Sequence, residues 1–289
     1  MSADILVVYK KNFEAVHDRS MIAIEAALER AVQERKLRVD ITAREKVRRS
    51  DFIGRDLVIV IGGDGSLTSI AHSVDADTPV MGVNSHPIEE DAEGSFGFFM
   101  GSDPNLFEED LKQALDGTAR VNILPRLQAE IVTTSGNVIR CDPALNDLLV
   151  ANTHQYQPSR YRIQRGKGED AIDMIQQSSG MLFSTSLGRG AWFQHAFNLS
   201  GFKQKEGEAA THYLVGPREL PKEEGESGSD WSWTNQPTVL ISDMHRGYVV
   251  SDGWDEYHFT RGATITVSLD GPPLRLLTFR NWLVDSNPI

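Results

Sequence analysis

Two periodicities divide this chain. In the first part, short continuous apolar runs alternate with stretches whose apolar residues recur at helical spacing. Ile5 to Tyr9 is such a run, the mark of a strand covered on both faces. After Ser20, the residues Ile24, Leu28, Ala31 and Val32 share one face of a helix. Leu37 to Ile41 and Leu57 to Ile61 read as the next strands, Leu67 to Val74 as a helix opening at Ser66, and Pro79 to Val83 as a fourth strand. This alternation predicts a doubly wound α/β layer with ligands beyond the carboxyl ends of its strands, where Asp64 and Asn84 would lie. Residues 86–94 carry four acids in nine positions without periodicity and read as a mobile loop. Ser102 to Leu115 reads as a helix capped by Ser102, with Pro104 in its first turn.

Beyond Gly117 the period shortens to that of strands. Ala119 to Thr134 and Val138 to Arg140 form a hairpin about Ser135-Gly136-Asn137, and Met181 to Ser184, Val239 to Ser242, Tyr248 to Ser251, Thr264 to Leu269 and Arg275 to Phe279 are strand-like. Asp252-Gly253 and Asp270-Gly271 read as hairpin turns between them. Pro217 to Asp230, rich in Glu, Gly, Ser and Pro, reads as an exposed or disordered loop. The expected fold is thus an α/β N-terminal domain (1–117) and a mostly-β C-terminal domain (118–270). The C-terminal segment 271–289 follows, its return to the first domain left open. Trp231 and Trp233 belong either to a β-core edge or to a partner contact.

Composition narrows the class. Of the 289 residues, 40% are hydrophobic and 24% charged, as in an ordinary globular protein, and no apolar run reaches the ~20 residues of a membrane span. A net charge of −12 argues against nonspecific binding to nucleic acid or membrane. Cys141 is the only cysteine, so there is no intrachain disulfide and no cysteine-based zinc site, and a buried thiol is expected. The histidines show no metal-ligand spacing, so no protein-held metal is expected. The N-terminus enters a strand without a targeting pattern, which suggests a cytoplasmic protein or a mature form already trimmed.

The chemistry concentrates in Ile61-Gly62-Gly63-Asp64-Gly65-Ser66, between a buried strand and a helix start. Glycines allow a sharp turn and let a ligand approach main-chain N–H groups, and a helix start favours phosphates. No lysine follows Gly65, as a P-loop requires, and Thr68 stands where a dinucleotide fingerprint has its third glycine. A carboxylate among phosphates makes sense beside a metal ion or as the acceptor of a proton from an attacking hydroxyl, so phosphoryl transfer is indicated. The plainer reading is that Asp64 caps the helix.

Together with this glycine turn, three further stretches in order make the chain resemble the NAD kinase family, whose acidic glycine motif is shared with phosphofructokinases, diacylglycerol kinases and sphingosine kinases. Met81-Gly82-Val83-Asn84 with Phe96-Gly97-Phe98 resembles the family's Gly-Val-Asn and Leu-Gly-Phe. Ala144-Leu145-Asn146-Asp147 resembles its Ala-Leu-Asn-Glu, and Ser184 to Trp192 its Ser-Thr-Pro-Thr-Gly-Ser-Thr-Ala-Tyr run. The resemblance spans about residues 1 to 280 and implies a phosphofructokinase- or NAD kinase-like fold. It implies transfer of the ATP γ-phosphoryl group to the 2′-hydroxyl of the adenosine ribose of NAD or NADH, with Mg²⁺ arriving with ATP.

On this resemblance Asp64 is the catalytic base, and Gly62, Gly63, Gly65 and Ser66 hold the donor phosphates. Asn84, Phe98, Asn146, Asp147, Ser179, Ser184, Thr185 and Ala191 contact NAD. An Asx turn at Asn146-Asp147, a local cap at Asn84 and a plain Ser- and Gly-rich turn at Ser184 to Gly190 are the structural alternatives. The resemblance also implies a homodimer or homotetramer. Ser178-Ser179-Gly180 replaces the family's Gly-Asp-Gly, and Leu187, Arg189 and Trp192 depart from the following run; with the long acidic loop, these features resemble the mitochondrial-type branch. A kinase of a lipid or sugar hydroxyl on the same fold and a non-catalytic NADP-binding regulator remain as alternatives.

Overall fold

The structure is a computed structural model that describes residues 3–11, 15–168, 171–188, 211–219 and 231–280. Ala191, with Arg189, Trp192 and most of the acidic stretch after Pro217, lies outside the described residues. The chain divides into two compact units, Met1–Leu124 with Pro273–Ile289, and Pro125–Pro272.

In the first unit, β1 (Ala3–Tyr9), α1 (Ala15–Glu34), β2 (Leu37–Ala43), β3 (Leu57–Gly62), α2 (Asp64–Ala71), β4 (Pro79–Asn84) and α3 (Phe107–Leu115) follow in order. The strands pair in parallel in the order β2-β1-β3-β4, and Arg275–Leu277 near the chain end pair in parallel with β4 at Pro79–Met81. All six residues of β3 are buried, as expected of a continuous apolar run in a sheet covered on both faces. Ile5, Val7, Ile59, Ile61, Met81 and Val83 pack with Ile24, Ala27 and Leu28 of α1 and with Phe107 and Leu111 of α3. Their neighbours Leu6, Val8, Val58, Val60 and Val80 point to the opposite face and are buried as well. The order 2-1-3 reverses the winding between β1 and β3, so a crevice opens at the carboxyl ends of these two strands. Gly62 lies there.

Several helix boundaries differ from expectation, and α1 already starts at Ala15. The glycine turn is tighter than anticipated, so α2 starts at Asp64 with Gly63 as its N-cap and ends at Ala71. α3 starts at Phe107, and Ser102 is not its cap. The Ser102 hydroxyl instead donates to Oδ2 of the fully buried Asp110 at 2.7 Å, a carboxylate that also takes two bonds from Arg280 at 2.8 and 3.0 Å.

The second unit is antiparallel. Its chain supplies β5 (Arg120–Val132), which begins in the first unit, then β6 (Val138–Arg140), β7 (Asp147–Asn152), β8 (Ser159–Arg165), β9 (Ile172–Ser178), β10 (Met181–Ser184), β11 (Tyr213–Pro217), β12 (Ser232–Thr234), β13 (Thr238–Ser242), β14 (Arg246–Ser251), β15 (Glu256–Thr260) and β16 (Thr264–Thr278). One sheet runs β16-β13-β8-β9, with β5 beside β16 and β6 beside β5; the other runs β12-β11-β10-β7-β14-β15. Leu127, Ile131, Ile163, Leu240 and Ile265 from the first sheet meet Leu148, Val150, Phe183, Tyr213 and Val249 from the second in one core, a sandwich. Cys141 belongs to this core, and burial pushes its thiol up to about 12, which leaves it unreactive.

Trp231 packs with Leu149, Ala151, Leu182, Leu214 and Tyr248 on the other face of the six-stranded sheet; it is part of a β-core edge. The segments 264–269 and 275–279 form one long strand, with no turn at Asp270-Gly271: a Cβ at Gly271 would lie 2.7 Å from the Arg126 carbonyl oxygen, so glycine here serves close strand approach. β8 and β9 carry Arg, Gln and Ser at many positions and gave no apolar signal. In β8, Ser159, Tyr161 and Ile163 still alternate inward.

Candidate functional site

One candidate site, within the first unit, is the turn from β3 into α2. Gly63 is extended, and its carbonyl accepts from the N–H of Ser66 at 2.8 Å and of Leu67 at 3.3 Å. A Cβ on Gly62 would lie 2.3 Å from Ser66 Oγ, and one on Gly63 would lie 2.5 Å from Ser95 Cβ. Both positions therefore require glycine for packing. Gly65 is exposed and has nothing within 4 Å of its would-be Cβ, which leaves the first turn of α2 bare to an approaching ligand. Ser66 is buried, and its hydroxyl has no hydrogen-bond partner among the described residues. Such an orphan donor and acceptor suits a phosphate oxygen or a hard cation carried in with one.

Asp64 does not cap the helix. Its carboxylate is held from the loop after β4: the Phe99 N–H donates to Oδ1 at 2.7 Å and the Ser95 hydroxyl to Oδ2 at 2.9 Å. The same Ser95 oxygen accepts from the N–H of Asp64 at 3.0 Å and of Gly97 at 3.2 Å. Because these two amides fill the hydroxyl's two lone pairs, its single proton must point at the Asp64 carboxylate. Ser95 thereby fixes the position of the Asp64 carboxylate while leaving lone pairs on each of its oxygens for a substrate hydroxyl.

The acidic loop that delivers Ser95 is closed by its own hydrogen bonds. Ser95 N–H donates to the His86 carbonyl at 2.8 Å, Ile88 N–H to the Ser95 carbonyl at 3.1 Å, and His86 Nε2 lies 2.9 Å from Asp91 Oδ2. A hydrogen bond donated by the Glu93 N–H and the His86 contact hold the Asp91 pKa below the usual carboxylate value. Asn84 is buried and braces the loop: its Nδ2 donates to the Ser95 carbonyl at 3.1 Å and its Oδ1 accepts from His86 N–H at 3.4 Å. Gly97, at φ +69°, lets the chain pass under the Asn84 amide, where a Cβ would lie 2.6 Å from Nδ2. Phe98 is half-buried and meets Phe99 edge-on at 4.9 Å. Behind this layer, buried His17 meets Ser85 Oγ at 2.8 Å, and burial lowers its pKa toward the neutral form. Neither Ser95 nor His17 had a sequence signal, because both act across long separations.

A second candidate cluster, within the other unit, is the turn Leu145-Asn146-Asp147, which opens β7. The side chain of Asp252, just past β14, accepts from the N–H of Leu145 at 2.7 Å, Asn146 at 2.8 Å and Asp147 at 3.0 Å. The Thr185 hydroxyl donates to the Leu145 carbonyl at 2.6 Å, and the Ser184 hydroxyl to the Asn146 carbonyl at 3.2 Å. Gly188 packs against both partners, since a Cβ would lie 2.4 Å from Ser184 Oγ and 2.5 Å from the Asn146 oxygen. Asn146 is half-buried with a side-chain amide that makes no hydrogen bond among the described residues, and Asp147 is buried. Ser179, replacing the expected acid, donates to Glu219 Oε2 at 2.6 Å, so a carboxylate stands near that position from elsewhere in the chain. The Asp252-Gly253 pair, noticed in the sequence as a turn, is thus also a structural anchor of this motif.

A family model described as the ATP-NAD kinase N-terminal domain matches residues 5–118. An NAD kinase of Pseudomonas fluorescens (strain SBW25) is 38% identical over 235 residues, covering 77% of this chain and 70% of the relative. A probable NADH kinase of Oryza sativa subsp. japonica is 27% identical over 253 residues, covering 79% and 72%. Among solved structures, an NAD kinase from Archaeoglobus fulgidus in complex with ATP matches with a TM-score of 0.68 at 20% identity, covering 96% of this chain and 94% of that one. Yeast NADH kinase complexed with NADH matches with a TM-score of 0.73 at 14% identity, covering 97% and 84%. These two share the fold of this chain.

Proposed function

The chain belongs to the NAD kinase family, and on that premise we propose that Asp64 is the general base in the ATP-dependent phosphorylation of NAD or NADH. The observation that carries this reading is the Asp64 carboxylate, held in the glycine turn by the Ser95 hydroxyl and the Phe99 amide with lone pairs to spare. The 2′-hydroxyl of the adenosine ribose gives its proton to Asp64 as its oxygen bonds to the γ-phosphorus of ATP; the bond from that phosphorus to the bridging oxygen breaks, and ADP leaves. The bare first turn of α2 and the orphan Ser66 hydroxyl receive donor phosphate oxygens. Mg²⁺ bound with ATP would offset phosphate charge, and the oxygen donors Ser66 and Asp64 suit such a cation. Asn146 and Asp147 supply a donor and an acceptor for the adenosine end of the acceptor, with Phe98, Ser179 and Ala191 as further contacts. Asn84 acts by bracing the loop that carries Ser95, and Ser184 and Thr185 by holding the Leu145-Asn146 turn. The family resemblance further supports a homodimer or homotetramer, which light scattering on the purified protein would size.

The test is mass-spectrometric detection of product after incubation with Mg-ATP and NAD, with NADH, sugar and lipid acceptors in parallel. NADP or NADPH is expected, with turnover lower by about 10²- to 10⁴-fold in Asp64→Asn while both substrates still bind. Unchanged turnover in that variant would remove Asp64 from the mechanism. Phosphorylation of a sugar or lipid alone would overturn the acceptor.

A further inference from the structure

We propose that Asp252 is a positioning residue for the dinucleotide: its carboxylate gathers the N–H groups of Leu145, Asn146 and Asp147 and so sets the direction of the Asn146 and Asp147 side chains. This rests on the reading above that those side chains contact NAD. Three N–H groups that converge on one point need an acceptor with two oxygens and no hydrogens of its own, which among side chains means an ionised carboxylate. Asp252 keeps part of its surface in solvent but turns this carboxylate inward, and buried Arg126 supplies the nearby positive charge.

The carbonyl side of the turn is held equally fully. The Leu145 oxygen accepts from the Thr185 hydroxyl, the Asn146 oxygen from the Thr185 N–H at 2.9 Å, and the Asp147 oxygen from the Asp252 N–H at 2.9 Å. Every main-chain donor and acceptor of the three residues is therefore engaged. A turn that needed only to reverse the chain would have no use for a buried charge, because solvent or one cap would satisfy it. The arrangement instead suits a turn whose side chains must meet a ligand at fixed angles, where a misplacement of about 1 Å already costs heavily in rate. The backbone of Asp252 supports the assignment. At φ 51° it lies in the left-handed region, which Asp, Asn and Gly tolerate, so Asn and Gly can replace it without new backbone strain.

Asp252→Asn presents an NH₂ group toward three N–H donors, and Asp252→Gly removes the acceptor while keeping the turn conformation. Both variants are measured for kcat and for KM toward NAD and toward ATP, beside the unsubstituted protein. The expected result is a KM for NAD raised tenfold or more, with KM for ATP within twofold. Equal changes toward both substrates, or a loss explained by the folded fraction alone, would overturn the proposal. Amide hydrogen exchange on the unsubstituted protein decides the matter even if neither variant folds. The amides of residues 145–147 should exchange slowly without ligand, and the Asn146 and Asp147 side-chain resonances should move when NAD is added. Open-turn exchange rates, or resonances that NAD leaves in place, count against it. If the unsubstituted protein phosphorylates no dinucleotide, it is the NAD kinase reading that fails, whatever the exchange rates show.

Discussion

A single hydroxyl proton decides how Asp64 is presented. Ser95→Ala leaves two amides without their acceptor and frees the Asp64 carboxylate to rotate, so kcat should fall by about 10- to 100-fold while KM for NAD stays within twofold. Steady-state kinetics would test this, and an unchanged kcat would mean the Phe99 amide alone suffices. Asp252 gives a pH signature of opposite sign to the usual paired carboxylate. Burial pushes its pKa up to about 6, against the three N–H hydrogen bonds that pull it down. The native state therefore holds this proton more tightly than the unfolded chain. Its contribution to stability is fully present below an unfolded carboxylate pKa of about 4 and is lost as the pH rises through 6. Unfolding free energies measured from pH 4 to 7 for the unsubstituted protein and Asp252→Asn should diverge across this window; parallel curves would contradict the assignment.

Elements follow from these residue-scale constraints. The β3 to α2 connection is short because Gly62 and Ser66 occupy nearly the same space: a methyl group at Gly62 would sit 2.3 Å from Ser66 Oγ and 2.7 Å from its Cβ. Gly62→Ala should displace the first turn of α2, lower stability by about 1–3 kcal/mol and weaken ATP binding. Adding Ser66→Gly should restore the melting temperature by opening room without restoring ATP affinity. A double variant no more stable than the single one would show that the strain lies elsewhere. The loop after β4 is similarly specified by its contacts. The density of acids suggests solvation, yet His86, Asp91 and Asn84 close it into a bracket for Ser95. The pattern of charges along a segment says nothing about a carbonyl eleven residues away.

At the scale of the whole molecule, the first unit completes itself with chain distant in sequence, whereas the second is one continuous stretch. The first unit takes Arg275–Leu277 as the strand beside β4. A chain ending at Pro272 would leave the β4 edge without its parallel partner and would remove Leu276 and Leu277, which are buried in the full structure. Such a truncation should be insoluble or should melt at least ten degrees lower, as thermal unfolding followed by circular dichroism would show; a truncated chain with the full melting temperature would make this strand dispensable. The sequence by itself determined the α/β layer, because runs such as Leu57 to Ile61 can only be strands buried on both faces, and it determined the glycine turn, because Gly62 to Ser66 is local. The same holds for the sandwich strands with clear alternation and for the family motif at Asn146-Asp147. Only the tertiary structure decided what holds those groups. Ser95 lies 31 residues from Asp64 and Asp252 lies 106 from Asn146, and β8 and β9 carry too many polar side chains to register as strands until their neighbours are in place. Hydrogen bonds depend on where atoms converge in space, and a linear pattern of residue types records only which ones are available.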